Sequence, residues 1–155
     1  MSARSLAVGI AAGAVGTAVL NIATYADMAL RGRPSSETPS EFVKKLATSL
    51  GIEALAAEGE EAENRRSGVG ALLGFANGIG VGIAYGAVRP ALRDVPAPVA
   101  GVLAGAAAMA LSDVPLVQSG ATDPASWGAA GWIADIVPHL LYGLALAYAF
   151  DALDD

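Results

Sequence analysis

Cysteine is absent from the 155 residues, and histidine occurs once. Without thiols there can be no disulfide, no cysteine nucleophile and no Cys-ligated zinc or iron–sulfur cluster. A single imidazole, His139, excludes a haem held by two histidines of one chain. Charge is scarce as well. Asp, Glu, Lys and Arg make up 15% of the residues, against about 25% in ordinary soluble domains. The net charge of −6 comes mostly from Glu53–Glu63 and the tail Asp151–Asp155. No basic patch with interleaved aromatics exists, so nucleic acid is not an expected partner. There is no HExxH, no phosphate-binding glycine loop and no Ser/His/Asp signature, so the sequence leans away from an enzyme. The acidic residues and the lone histidine show no recognised metal-ligand spacing. No cofactor and no metal site is expected.

What remains is apolar: 54% of residues are hydrophobic and the mean hydropathy is +0.52. The few charges are unevenly placed. Leu6–Ala26, Gly68–Val88 and Ala97–Leu111 contain none, and Ala129–Phe150 contains only Asp135. Each block is close to the ~20 residues needed to cross a hydrocarbon core of about 30 Å. A soluble bundle would need a polar stripe on each helix, and these blocks have none. Arg4 followed by an apolar run resembles the start of a secretion signal. That run continues too far, and Asn21, Thr24 and Tyr25 spoil a cleavage region. The fold class expected is therefore all-α: a four-helix transmembrane bundle forming one integral membrane domain over 1–155. Its spans lie at about 6–28, 68–88, 97–116 and 129–150.

The second span carries Gly70, Gly74, Gly78, Gly82 and Gly86, one at every fourth position. In water each glycine in a helix interior costs about 1 kcal/mol relative to alanine. In lipid, unpaired backbone groups are so costly that the helix forms regardless. The glycines then make a groove in which another backbone can lie close, the small-xxx-small mode of membrane packing. Gly9, Gly13 and Thr17 in the first span, and Ala100, Ala104 and Ala108 in the third, repeat the device. The glycine face can take a helix of the same chain, a second copy as a homodimer, or another membrane protein.

The two halves of the chain look alike. Asp27 matches Asp113, Leu30 matches Leu116, and Thr38-Pro39-Ser40-Glu41-Phe42 matches Asp123-Pro124-Ala125-Ser126-Trp127. Two similar helix-pair repeats are expected. In the long loop 31–67, Thr38 reads as an N-cap with Pro39 behind it and Glu41 three residues on. Phe42, Val43, Leu46, Ala47 and Leu50 share one face, and Gly51 ends the run. This predicts a short amphipathic helix on the membrane surface. Asp123-Pro124 predicts a helix start that runs on into the fourth span, with Trp127 and Trp132 spaced for the interface belt. The first loop holds Arg31, Arg33, Lys44, Lys45, Arg65 and Arg66, against Arg4, Arg89 and Arg93 on the other side. The basic residues favour that loop in the cytoplasm and both termini outside.

With alternating spans, the polar residues at membrane depth gather at the end that carries the long loop. They are Asn21, Thr24, Tyr25, Asp27, Asn77, Ser112, Asp113, Asp135 and His139. Asp135 and His139 are four apart and share a helix face. Pro138 between them frees the carbonyl of Ala134. Asp27 and Asp113 sit near helix C-termini, where the dipole disfavours an anion. Each must accept backbone N–H bonds or face a cation, and Arg31 and Arg33 are near enough to serve. Such a cluster is a register-fixing hydrogen-bond network, a proton or cation path, or a small-molecule site.

The stretches TYADMALRGRPSSETP, NRRSGVGALLG, SDVP, TDPASW and VPHLLYGLALAYAF resemble a group of small, uncharacterised four-span integral membrane proteins of actinobacterial type. The resemblance implies a multi-pass protein of a bacterial cytoplasmic membrane and carries no activity or catalytic residue with it. The function expected is that of an accessory or scaffold protein with a buried Asp/His network. A proton- or cation-linked small transporter or channel is the alternative.

Overall fold

The computed structural model describes residues 2–154, and among them there is no strand. Six α-helices follow one another: α1 (Ala3–Arg31), α2 (Thr38–Leu50), α3 (Glu53–Ala56), α4 (Glu60–Val88), α5 (Ala97–Gln118) and α6 (Gly128–Asp154). Four of them, α1, α4, α5 and α6, are long and apolar enough to cross a membrane. The second is longer than the apolar run because Glu60, Glu61 and Glu63 occupy its first turn. Acidic residues favour a helix N-terminus, so the acidic segment starts the helix rather than preceding it.

The packing is the inverse of a soluble bundle. Small residues fill the interior: Ala12, Ala100 and Ala108 are at most 2% exposed. Large ones stand outside: Leu72, Leu103 and Leu111 are 69%, 59% and 60% exposed. That surface suits lipid rather than water, and together with the four long helices it points to a multi-pass membrane protein.

Glycines set the helix pairs. Helices α1 and α4 cross with Gly9 against Gly82 and Gly13 against Gly78. Rising number on one helix meets falling number on the other, so the pair is antiparallel. A Cβ on Gly9 would lie 2.6 Å from the Gly82 carbonyl oxygen, and one on Gly13 would lie 2.8 Å from that of Gly78. Helices α5 and α6 cross in the same manner. A Cβ on Gly101 would lie 2.9 Å from the Gly143 oxygen, and one on Gly105 would lie 2.5 Å from the His139 oxygen. Helix α1 also runs against α6, through Gly16 on the Tyr142 ring.

The stripe on α4 is not one continuous seam. Gly70 meets Pro39 of the first connection, Gly78 meets Thr17 and Tyr142, and Gly86 meets Ser5 and Phe150. Gly74, expected in the packing face, is exposed and has nothing within 4 Å of where a Cβ would stand. With 3.6 residues per turn, positions four apart drift round the helix, so the stripe leaves the interface between Gly70 and Gly78.

The core lies in the half of the bundle away from the long connection. Val8, Val81, Tyr85, Tyr142, Leu146 and Phe150 fill it. Tyr85 meets Phe150 edge to face, with ring centroids 5.3 Å apart. The end beyond the core is tied by ion pairs. Arg89 donates to both Asp151 oxygens, at 2.9 and 2.8 Å, and to the carbonyls of Leu92 and Val95. Arg4 donates to the Asp154 carbonyl at 2.6 Å.

The first connection folds over the other end. Val43 and Ala47 of α2 are buried, while Leu46 and Leu50 are exposed. Helix α2 starts differently from expectation. Its N-cap is Glu37, with Thr38 as the first helical residue and no side-chain cap. Ser36 Oγ instead accepts from the Thr38 N–H. Gly51 ends it in the left-handed conformation, φ 70°. Arg66 of α4 is 7% exposed and donates to the carbonyls of Leu55 and Ala57, which holds α3 in place. The Lys44 ammonium donates to Glu58 at 2.6 Å and holds the Glu58 carboxyl below its ordinary value of 4.5. The helix expected from Pro124 is interrupted. A 3-10 turn, Pro124–Ser126, is followed by Gly128 at φ 61°, and α6 begins afresh there.

Candidate functional site

A cavity of about 680 Å³ lies in the loose half of the bundle, between the ends of α1 and α5 and the start of α6. Residues of the first connection, Arg33, Ser36 and Thr38, and Thr122 of the third, form its mouth. Leu20, Leu116, Ala130 and Pro138 line its apolar wall. Asp113, Asp135 and His139 line it as well. Small residues, Ala130, Gly131 and Ala134, line the α6 side of this space.

Five of the expected polar residues, Thr24, Ser112, Asp113, Asp135 and His139, line this cavity. Asp135 and His139 are one turn apart on α6. The imidazole Nδ1 lies 2.9 Å from the Asp135 carbonyl oxygen and 3.2 Å from its Oδ1. Both neighbours are acceptors, so Nδ1 carries a hydrogen. The backbone oxygen that serves is that of Asp135, not the freed carbonyl of Ala134. The Asp113 carboxyl, brought in by α5, lies beside that of Asp135. Two carboxyl groups side by side in an apolar setting repel each other unless a proton or a cation stands between them. Among the described residues, no N–H or hydroxyl group donates to the buried Asp135 Oδ2, and the Asp113 carboxyl is the neighbour that can share a proton with Asp135.

The remaining members of the expected cluster stand apart. Asp27 is held by two guanidiniums: Arg31 donates through Nε and Nη2, each at 2.6 Å, and Arg33 through Nε at 2.5 Å. That triad sits at the cavity mouth, where Arg31 and Arg33 form part of the wall. Asn77 donates its amide to the Ala108 carbonyl at 3.2 Å and bridges α4 to α5. Tyr25 is 62% exposed on the outer surface of α1. Asn21 is half-buried, but the cavity wall does not include it.

Trp127 was legible only as an interface aromatic, yet it lines the cavity. Its indole N–H donates to Thr122 Oγ1 at 2.7 Å, and its ring lies against Trp132 with centroids 4.9 Å apart. Gly131 makes this possible, since a Cβ there would stand 2.8 Å from the Trp127 Cβ. The Trp-x-x-x-Gly spacing was the available signal.

Chemically, the cavity offers two carboxyl groups, one imidazole, several hydroxyls and a basic rim. It can bind a cation or carry a proton. Among the described residues, no group of three or more His, Asp or Glu side chains is arranged to hold a metal ion. No protein-family model, curated protein or solved structure matches the chain.

Proposed function

We propose that the chain is a small multi-pass protein that takes a cation-bearing solute into the Asp113–Asp135–His139 cavity from one side of the membrane. A proton is the alternative occupant of the same carboxyl groups. The observation that carries this reading is the pair of carboxyl groups, Asp113 beside Asp135, on the wall of an open cavity. Two carboxyl groups side by side in an apolar setting need a proton or a cation between them, which an open cavity can supply. The contrast between the two halves of the bundle supports the same reading. One half is open to the cluster; the other is closed by Tyr142, Leu146 and Phe150 and tied by Arg89 to Asp151. That is the form of a carrier in one access state.

The finer architecture is part of the proposal. Helices α1–α4 and α5–α6 are read as a repeated antiparallel pair, and the glycine crossing in each supports it. Helix α2 is read as lying at the membrane surface, supported by exposed Leu46 and Leu50. The excess of basic residues in the first connection supports reading it as cytoplasmic, with both termini outside. A bacterial inner membrane is part of the same proposal. A second reading, an accessory scaffold, draws on Gly74 and Gly80, which stand open on α4 where a second copy or another membrane protein can approach closely.

The test is a melting scan of the purified protein in detergent against small organic and inorganic cations. A solute at about 100 times its dissociation constant adds roughly 2.7 kcal/mol to the folded state. The carrier reading expects a solute that raises the melting temperature of the wild type and not of Asp135→Asn. A scan flat to every solute contradicts it and leaves the scaffold reading.

A further inference from the structure

The cavity has two poles of opposite sign. Asp113 and Asp135 form the deep, acidic one. The mouth carries Arg31 and Arg33 on a single carboxylate, Asp27, which leaves one positive charge in surplus. The donors are not used up. Arg31 spends Nε and Nη2 on Asp27, and Arg33 spends Nε on Asp27 and Nη1 on the Pro34 carbonyl. Among the described residues, Arg31 Nη1 and Arg33 Nη2 make no further hydrogen bond, and at the partly exposed mouth they are open to a ligand or to water.

The poles lie at different depths. Arg31 is the last residue of α1, whereas Asp135 is seven residues into α6 and Asp113 five from the end of α5. At 1.5 Å per residue, the backbone levels differ by about 8–10 Å. Long arginine side chains at the mouth narrow that gap toward the length of a small molecule.

We propose that the solute is a small zwitterion, with its ammonium against Asp113 and Asp135 and its anionic group against Arg31 and Arg33. This deepens the reading of the cavity as a binding site and rests on it. A simple cation would leave the guanidinium donors at the mouth unmatched; a simple anion would leave the carboxyl groups unmatched. Only a ligand with both charges meets both poles. Phosphoethanolamine has this chemistry, both as a free molecule and as the headgroup of a membrane lipid.

The experiment measures binding of O-phosphoethanolamine, ethanolamine and methyl phosphate to the purified full-length protein in detergent. It also compares melting in nanodiscs of phosphatidylethanolamine with melting in nanodiscs of phosphatidylglycerol. The zwitterion is expected to bind at least about tenfold tighter than either half-ligand, the value of one charge-assisted contact. Arg33→Gln, at the mouth, should reduce it to the level of ethanolamine, and Asp135→Asn to that of methyl phosphate. Binding of the free molecule assigns a soluble ligand. Stabilisation confined to phosphatidylethanolamine nanodiscs, and lost in both variants, assigns the lipid headgroup. Ethanolamine binding as tightly as phosphoethanolamine, with Arg33→Gln silent, overturns the zwitterion and leaves a cation site. No binding in either format overturns the zwitterion and the cavity reading together.

Discussion

Tyr142 of α6 donates its phenolic hydrogen to the Gly78 carbonyl of α4 at 2.6 Å. The ring is 1% exposed and reaches α4 because Gly78 has no side chain to stop it. A Cβ at Gly78 would stand 3.4 Å from the ring's Cε2 and would overlap Thr17 Oγ1. One glycine thus admits both the Thr17 hydroxyl and the tyrosine. Tyr142→Phe keeps the ring and removes the bond. A melting measurement in detergent should show a loss of about 1 kcal/mol, the usual net worth of such a bond.

The glycines of α4 should separate by position. Gly82→Ala drives a methyl group into the Gly9 carbonyl and the Gly13 backbone, which cannot move without parting the helices. A loss of about 1–3 kcal/mol is expected from overpacking of this kind. Gly74→Ala enters open space and should leave the melting temperature unchanged or raised. Equal effects at the two sites would contradict the crossing.

The closed end depends on Arg89. Its side chain is 12% exposed and holds Asp151 and two carbonyls of the short connection after α4. Arg89→Met should cost about 1–3 kcal/mol, since hydrogen bonds to charged groups are the stronger ones. Hydrogen exchange should quicken in residues 89–96 more than in the cavity half.

Glu58 should titrate below its ordinary value because Lys44 donates to it. A depressed carboxyl contributes stability above its unfolded value of 4.5 and loses it as pH falls through the folded value. Carbon-13 NMR of the Glu58 carboxyl should show the depression, and Lys44→Met should abolish it. The closure of 52–58 over α4 should loosen only in the acid range.

The spans were legible because runs without charge leave a helix no alternative in lipid. Their ends were not. Residues 52–66 read as an acidic stretch helical in part, separate from the span, yet acidic residues in a first turn favour a helix start, and α4 runs on unbroken from Glu60. The cluster was legible to the level of one bundle end, because alternating spans bring those residues to the same side. Which of them face each other was not, because facing depends on rotation about each helix axis. Asn77 turns to the α5 backbone and Tyr25 turns outward. Asp27 stays with its own helix, since Arg31 is one turn away. The cavity had no signal of its own beyond the small residues Ala130, Gly131 and Ala134.

The most direct test of the account uses the absence of cysteine. Ala134→Cys places a single thiol on the cavity wall beside Asp135. Membrane-impermeant maleimide is then applied to right-side-out and to inverted vesicles. The account expects labelling from the side of the first connection alone. No labelling from either side would mean a dry network and contradict the binding cavity. Labelling from both sides would mean an open channel and contradict the closed half of the bundle.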